Sequence, residues 1–369
     1  MTPTVAVVGG GYGGVTVAKA LDQVADVVLI EPRDTFVHNV ATLRAVVDPE
    51  WIERLFLPYD QLLGRGAVRR DRAVRVTDTG VELASGGFVP ADYIVVATGS
   101  AHAWPAKVDV EDSAAAKAKL RATHAALAAA DRVLLLGAGA VGLEFAGEIT
   151  TAWPGKSVTV VDPSPQLLTG RFPTEFNQQL TAQLDTLGVE LLLRTSLREP
   201  PPSPPGTPGA FTVTTTSGQS LSADIWFACY GATPNSDPLT ALVAAHDPGA
   251  VRADGLVTVT EHLRVPGYER VFAIGDITAV AEMKMAHLAQ SHAEVVAANI
   301  TALIQGNGKL TGYQGATDAI ILPLGPSAGL SYAAEWGGVL DAEQTAQIKG
   351  GHLFVDTYRD LLGLTAAAS

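Results

Sequence analysis

Val5-Ala-Val-Val8 is an unbroken apolar run that ends in Gly9-Gly-Gly-Tyr-Gly-Gly14, after which Val15 to Leu21 spaces its apolar residues at helical intervals. A β-branched run with no polar alternation predicts a strand buried on both faces, as in a parallel sheet. A second such strand, Asp26 to Ile30, ends at Glu31, 20 residues past Gly11. The same order returns later in the chain. Arg132-Val-Leu-Leu-Leu136 predicts a strand, Gly137-Ala-Gly139-Ala-Val-Gly142 a turn, Leu143 to Thr150 a helix, and Ser157 to Val161 a strand ending at Asp162.

Strand, Gly-x-Gly-x-x-Gly, helix, strand and terminal acid together form a dinucleotide fingerprint. Gly9 and Gly137 allow the tight turn. Gly11 and Gly139 let backbone N–H groups approach a pyrophosphate, and Gly14 and Gly142 let helix and strand pack closely. The helix N-termini supply partial positive charge to phosphate. Glu31 is suited to accept hydrogen bonds from ribose hydroxyls. Asp162 in the same place would repel a 2′-phosphate and favours NADH over NADPH, unless Arg171 swings in as a phosphate partner. Two fingerprints in one chain point to two different dinucleotides, and the obvious pair is FAD with a nicotinamide nucleotide.

Between and beyond the fingerprints the pattern predicts supporting elements. A loop with Phe36, His38 and Asn39 leads into a helix over Ala41 to Val47, where Arg44 is either a surface charge or a residue of the ligand edge. His38 reads first as a polar loop residue. Residues 67–89 predict short strands with turns at Asp78-Thr-Gly80 and Ser85-Gly-Gly87, and Tyr93 to Val96 a buried strand closing on Ala97-Thr98-Gly99-Ser100. A domain crossing is placed near residue 104, and residues 113–130 predict a helix. Glu144 and Glu148, at i and i+4, share one helix face; Glu144 is either a partner for a nicotinamide or simply an acid favoured by the helix dipole. The stretch Pro200 to Gly209 predicts an exposed, extended loop at the tip of a long hairpin. Ile225 to Asn235 echoes Ile94 to Ser100 and marks a crossing back. Val271 to Ile274 predicts a strand ending in Gly275-Asp276, an acid suited to a ribityl chain. A helix follows from Met283 to about Leu303, its N-terminus able to stabilise negative charge. Lys349 to Phe354 predicts a strand and Tyr358 to Leu362 a helix. The expected architecture is α/β, with two Rossmann-like domains and a small C-terminal α+β unit. Residues 1–104 and 236–308 would form an FAD-binding domain, 105–235 an NAD(P)H-binding domain and 309–369 a C-terminal domain.

Composition narrows the function. Apolar residues make up 47% of the 369 positions, which gives a folded chain a sizeable core. A net charge of −13 argues against nucleic acid and against tight docking on anionic lipid. The single cysteine, Cys229, excludes a disulfide framework and a cysteine-rich metal site, and is expected as a packed thiol. The fold begins by Val5 and residue 2 is Thr, so neither a leader peptide nor a myristoylated glycine is expected, and the expected compartment is the cytoplasm. No run of 18 uncharged apolar residues occurs, so no membrane span is expected.

With both fingerprints, Ala97-Thr-Gly, Gly231-Ala-Thr-Pro-Asn and Ala273-Ile-Gly-Asp in this order, the chain resembles the two-dinucleotide flavoproteins of the glutathione-reductase-like superfamily. Phe36-Val-His-Asn-Val-Ala-Thr-Leu-Arg44, Gly142-Leu-Glu-Phe-Ala-Gly-Glu148 and Lys284-Met-Ala-His-Leu-Ala289 resemble the apoptosis-inducing-factor-like branch, which includes ferroptosis-suppressor-like NAD(P)H:quinone oxidoreductases. Type II NADH dehydrogenases are more distant kin. The resemblance implies FAD contacts at Gly9, Gly11, Tyr12, Gly13, Gly14, Glu31, Arg44, Thr98, Gly99, Asp276, Met285 and Ala286, with Lys349 a further contact. It implies nicotinamide-nucleotide contacts at Gly137, Gly139, Val141, Gly142, Glu144, Asp162 and Gly231. His287 and Ser291 fall where type II dehydrogenases place polar residues at a quinone pocket, so His287 and Glu144 are the candidate catalytic residues.

Disulfide reductases of this superfamily carry a redox cysteine pair after the first fingerprint, and this chain has none there. Electrons are therefore expected to leave the flavin directly. The leading expectation is hydride transfer from NAD(P)H to FAD and then two electrons to a quinone or similar small acceptor, in a monomer or homodimer that touches membrane at most peripherally. The alternatives are reduction of a ferredoxin-like carrier, which the acidic charge disfavours, and a slow-turnover redox sensor that binds both nucleotides.

Overall fold

The computed structural model describes residues 2–247 and 249–364. The first fingerprint builds strand Thr4–Val8, helix α1 (Tyr12–Leu21) and strand Asp26–Glu31. These strands lie in a five-stranded, wholly parallel sheet, with spatial order Val271–Ala273, Tyr93–Val96, Thr4–Val8, Asp26–Glu31, Ala67–Arg70. Alternate residues of the first strand enter different cores: Val5 and Val7 pack under α1, while Ala6 and Val8 pack on the opposite face against Val76, Val81 and Val89 of a small antiparallel sheet. Two-sided burial is why the run carries no polar alternation.

The second fingerprint repeats this layout. A four-stranded parallel sheet has the order Val189–Leu193, Ser157–Asp162, Arg132–Leu136, Ile225–Ala228. The helices between the two sheets' strands are α2 (Thr42–Val47), α3 (Ser113–Ala129), α4 (Ala140–Ala152) and α5 (Thr174–Thr186). The crossings between the sheets pair as well, Ser100–Ala101 running antiparallel to Thr233–Pro234. Asn235 fastens them: its Nδ2 donates to the Thr98 carbonyl at 3.0 Å, and its own carbonyl accepts from Thr98 Oγ1 at 2.6 Å.

Helix α6 (Asp237–Ala244) precedes the return to the first sheet, and α7 (Ala286–Ile304) then packs along α1. Close approach is possible because Gly13 faces the backbone of α7; a Cβ there would stand 2.9 Å from the Ala289 carbonyl oxygen. The C-terminal part holds an antiparallel sheet, Ala319–Pro323, Gly329–Ala333 and Gly338–Leu340, followed by α8 (Ala342–Thr345) and α9 (Val355–Leu361).

Three sequence expectations need correction or refinement. Lys349 to Phe354 is not a strand. Residues 346–350 form a π-helical turn, and Leu353 and Phe354 then take left-handed backbone, φ 48° and 60°, which no strand accommodates. The C-terminal part is also no separate core: Ile320, Leu322, Leu330 and Leu353 join the cluster that contains Val133, Leu135 and Phe145 of the second fingerprint. The segment 365–369, which the expectation included, lies outside the described residues. The proline loop is not the tip of a long hairpin: the strand before it, Val189–Leu193, lies in the parallel sheet, and the strand after it, Phe211–Thr214, pairs with Ser220–Ala223. A single antiparallel bridge, Leu197 to Thr215, joins its flanks, while Trp226 straps it down by donating from its ring nitrogen to the Ser203 carbonyl at 2.9 Å. Among the described residues no helix is long and apolar enough to cross a membrane.

Candidate functional site

Both glycine turns sit at the carboxyl edge of their sheets, where open parallel sheets bind ligands. Gly9 has φ 103° and Gly137 φ 114°, conformations that favour glycine. A Cβ on Gly9 would meet the Ala97 carbonyl oxygen at 2.5 Å, and one on Gly137 the Cys229 carbonyl oxygen at 2.9 Å. A Cβ on Gly14 or Gly142 would collide with the carbonyl oxygen of Gly9 or Gly137 in turn, so each helix rests on its own turn. Gly11 and Gly139 differ from these: a Cβ on either meets nothing within 4 Å. Each is the N-cap of its helix and supplies no side-chain cap. The first-turn N–H groups therefore face open space, which suits an anion.

The terminal acids brace the turns. Glu31 Oε2 accepts from Gly10 N–H at 2.6 Å and Oε1 from Arg33 N–H at 2.9 Å. Asp162 Oδ2 accepts from Ala138 N–H at 2.7 Å and Oδ1 from Ser164 N–H at 2.7 Å. Arg171, the alternative phosphate partner, is instead engaged with Asp318 at 3.0 Å. A residue the motif did not mark, Tyr59, adds a further brace, its hydroxyl donating to the Gly10 carbonyl at 2.8 Å.

Asp276 stands at the end of the strand Val271–Ala273, on the Gly275–Ile277 turn. Its Oδ2 accepts from Ser100 Oγ at 2.7 Å and from Lys107 Nζ at 2.9 Å. Burial opposes its charge, but the Lys107 ammonium and the Ser100 hydroxyl hold its carboxyl below the usual range. Lys107 is three residues beyond the crossing marked near Trp104; nothing in its local pattern signalled this role. Below the same turn, His292 Nδ1 accepts from Gly275 N–H at 3.0 Å, and Nε2 lies 2.9 Å from Glu282 Oε1. Burial works against the Glu282 charge as well. His292, Ala316 N–H and the Tyr313 hydroxyl outweigh it and hold the carboxyl down at about 2.

Met285 is the N-cap of α7, again without a side-chain cap, and Ala286 and His287 open the helix. The surrounding protein lowers the His287 pKa, and Lys349 lowers it further while Glu282 opposes. Ser291 Oγ donates to the His287 carbonyl at 3.2 Å. His38, expected as a polar loop residue, is fully buried. Its Nε2 donates to the Leu353 carbonyl at 2.7 Å, leaving Nδ1 to the Tyr12 hydroxyl at 3.3 Å. Burial drops its pKa to about 4. Tyr12, Phe36, His38 and Tyr358 form one aromatic cluster that docks α9 beside the first turn.

The structure gathers the remaining candidates around α4. Glu144 Oε1 accepts from Lys349 Nζ at 2.7 Å. One helical turn on, Glu148 accepts from Arg44 Nε at 2.5 Å, and Arg44 Nη2 donates to the Gly350 carbonyl at 3.0 Å. Arg44 is 5% exposed, so it is not a surface charge. The i, i+4 spacing of the glutamates was visible in sequence; their partners, from distant segments, were not. Gly99 and Gly231, φ 65° and 81°, face open space at the two crossings, and Val141 is half-buried in the first turn of α4.

The family model for pyridine nucleotide-disulphide oxidoreductases matches residues 3–293. Apoptosis-inducing factor homolog B of Dictyostelium discoideum is 30% identical over 373 residues, 96% of this chain and 95% of the relative. Human ferroptosis suppressor protein 1 is 28% identical, with 88% of this chain and 87% of the relative covered. Among solved structures, the sulfide:quinone oxidoreductase of Aquifex aeolicus shares the fold with a TM-score of 0.77 at 17% identity, covering 99% of this chain and 93% of that one.

Proposed function

This chain belongs to the pyridine nucleotide-disulphide oxidoreductase family, and we propose that it oxidises NAD(P)H, with NADH preferred, through FAD and delivers two electrons to a quinone or similar small acceptor. The observation that carries the reading is the pairing of two glycine turns that leave room beside Gly11 and Gly139 with the lack of a redox cysteine pair. The sequence has one cysteine. Cys229 is buried, and burial pushes its thiol up to about 12, which removes the thiolate that exchange chemistry needs.

FAD, when bound, supplies the step between a two-electron hydride donor and an acceptor. The residues fit it: the first turn leaves room at Gly11, α1 and α7 present uncapped N-termini, and Asp276 offers a carboxylate between them. Gly9, Gly13 and Gly14 shape that turn, Tyr12 and Thr98-Gly99 line its approach, and Glu31 fixes Gly10. The N-terminus at Met285 and Ala286 favours negative charge. Gly137, Gly139, Val141 and Gly142 shape the nicotinamide-nucleotide side, with Gly231 at its crossing. Asp162 disfavours a 2′-phosphate there. Glu144 and Lys349 pair beside α4, where Lys349 can give a proton to an acceptor oxygen and take it back from water, with Glu144 holding the ammonium in place. His287, in the first turn of α7, is the second candidate proton carrier there; its lowered pKa favours the neutral ring, which must accept a proton before it can donate one.

The test is anaerobic. The purified flavoprotein is mixed with NADH and the flavin absorbance followed, then a panel of soluble quinones, a ferredoxin and oxygen is offered. The reading expects bleaching within seconds and fastest recovery with a quinone. Recovery with ferredoxin alone would assign a protein acceptor, and bleaching over many minutes at saturating NADH would assign a sensor.

A further inference from the structure

Beneath the turn that carries Asp276 lies a buried polar pair. The side chains of His292, on α7, and Glu282, in the loop before it, are 1% and 2% exposed, with His292 Nε2 2.9 Å from Glu282 Oε1. His292 Nδ1 accepts from Gly275 N–H at 3.0 Å. Glu282 Oε2 accepts from the Tyr313 hydroxyl at 2.7 Å and from Ala316 N–H at 3.0 Å. The Tyr313 ring meets the imidazole at a steep angle, with centroids 4.3 Å apart.

The Gly275 contact dictates the tautomer. Nδ1 can accept only when it carries no proton, so the proton of the neutral ring sits on Nε2, beside the Glu282 carboxylate. A carboxylate favours an N–H beside it over a bare nitrogen. The other tautomer would set two lone pairs against each other at Glu282 and two N–H groups against each other at Gly275. Burial raises the cost of both mismatches. Gly275 is a sensitive place for such a hold. Its φ is 72°, and a Cβ there would lie 3.2 Å from the Ala289 Cβ on α7. Its carbonyl already accepts from Thr278 N–H at 3.1 Å and from Thr278 Oγ1 at 3.0 Å. With His292 on its N–H, both polar groups of this peptide residue are held, and the next residue is Asp276. Ser100 and Lys107 grip the Asp276 carboxylate itself, while His292 grips the backbone behind it.

We propose that His292 and Glu282 are positioning residues for Asp276: Glu282 keeps the His292 ring proton on Nε2, which leaves Nδ1 to hold Gly275 N–H and so fixes the backbone from which the Asp276 carboxylate projects toward FAD. The inference rests on the functional reading above. Three variants separate the parts. His292→Leu removes the acceptor. His292→Asn offers an amide oxygen near the place of Nδ1. Glu282→Gln keeps the shape but cannot accept from three donors at once.

Nitrogen NMR of the purified, histidine-labelled protein near neutral pH is expected to show a neutral ring protonated at Nε2, assigned by its disappearance in His292→Asn. A ring protonated at Nδ1, or at both nitrogens, would overturn the proposal. Backbone hydrogen exchange is expected to rise across residues 274–278 in His292→Leu and Glu282→Gln and to stay unchanged at residues 137–142. FAD affinity, by titration after the flavin is stripped, is expected to weaken at least about tenfold in His292→Leu and at least about threefold in Glu282→Gln, because a buried donor loses its partner. His292→Asn is expected to stay within about threefold of the parent. Equal losses in the leucine and asparagine variants would mean that the ring only fills space, and unchanged affinity in all three would mean that the pair positions nothing; either overturns the proposal. Should His292→Leu fail to fold, the tautomer and the Glu282→Gln exchange and affinity decide. A parent that takes no FAD would sink the functional reading, and the tautomer and exchange, which need no nucleotide, still decide whether the pair holds Gly275.

Discussion

At the first glycine turn Gly10 donates to a glutamate at 2.6 Å, and at the second Ala138 donates to an aspartate at 2.7 Å. Gly9 N–H reaches the Ile30 carbonyl at 2.9 Å, and Gly137 N–H the Val161 carbonyl at 2.8 Å. One local design is used twice, and the surroundings make the difference. Around the first turn, Glu31 is 4% exposed, Tyr59 clamps Gly10, α7 crosses at Gly13, and α9 docks through Tyr358. Around the second turn Asp162 is only half-buried, and Tyr230 beside Gly137 stands 59% exposed. An enclosed turn suits a group that stays through many cycles, whereas an open one suits a molecule that must come and go. The structural contrast thus agrees with the proposed division between a resident FAD and an exchanging nicotinamide nucleotide.

The largest effects should come from filling each cradle. Gly11→Leu and Gly139→Leu both place a side chain where nothing stands within 4 Å, on backbone with φ −80° that any residue adopts. Neither should unfold the chain. Gly11→Leu is expected to yield colourless protein. Gly139→Leu is expected to keep its flavin while the NADH needed for half-maximal bleaching rises by about tenfold or more. Flavin loss from both variants, or from neither, would break the contrast. Next in size is Asp162→Ala, for which the ratio of kcat/KM values for NADH and NADPH should shift toward NADPH by about tenfold, read by steady-state kinetics.

Acid stability gives a smaller effect, confined to the enclosed side. The His38 pKa drops from its ordinary 6.5 to about 4, so the unfolded chain takes up that proton first and stability falls as pH drops from 6.5 to 4. Glu282 is held at about 2 against an ordinary 4.5, so its contribution is present above 4.5 and lost as pH falls toward 2. Thermal melts across this range should show a falling midpoint. Glu282→Gln should flatten only the lower part and His38→Gln only the upper part. Smallest of all, Cys229→Ser should bleach and recover at the parent rate, and a thiol reagent should leave the folded parent unmodified; a dead serine variant would return sulfur to the electron path.

The fold and both turns were legible because each turn depends on residues within about 30 positions of one another, and burial of both strand faces writes a strong apolar run. The partners of the site were less so. Glu144 and Glu148 announce a shared face by their spacing, but Lys349 and Arg44 reach them from 205 and 104 residues away, and no local rule encodes that. Lys107 and Glu282 were missed for the same reason. Lys349–Phe354 misled in a different way: its apolar and glycine content allows a strand, and only contacts to Glu144, Arg44 and His38 bend it into a π-turn with two left-handed residues.

The five-stranded sheet takes its edge strand Val271–Ala273 from well beyond the residues that complete the four-stranded one, whose strands all fall between Arg132 and Ala228. During synthesis the later-starting sheet is therefore the first to have all its strands, while the core beneath it still waits for Ile320, Leu322, Leu330 and Leu353. The N-terminal strands must wait, with Val5 and Val7 covered by α1 alone, until α7 has left the ribosome. A pause after residue 228 would leave one sheet with every strand in place and the other still without its edge strand and α7.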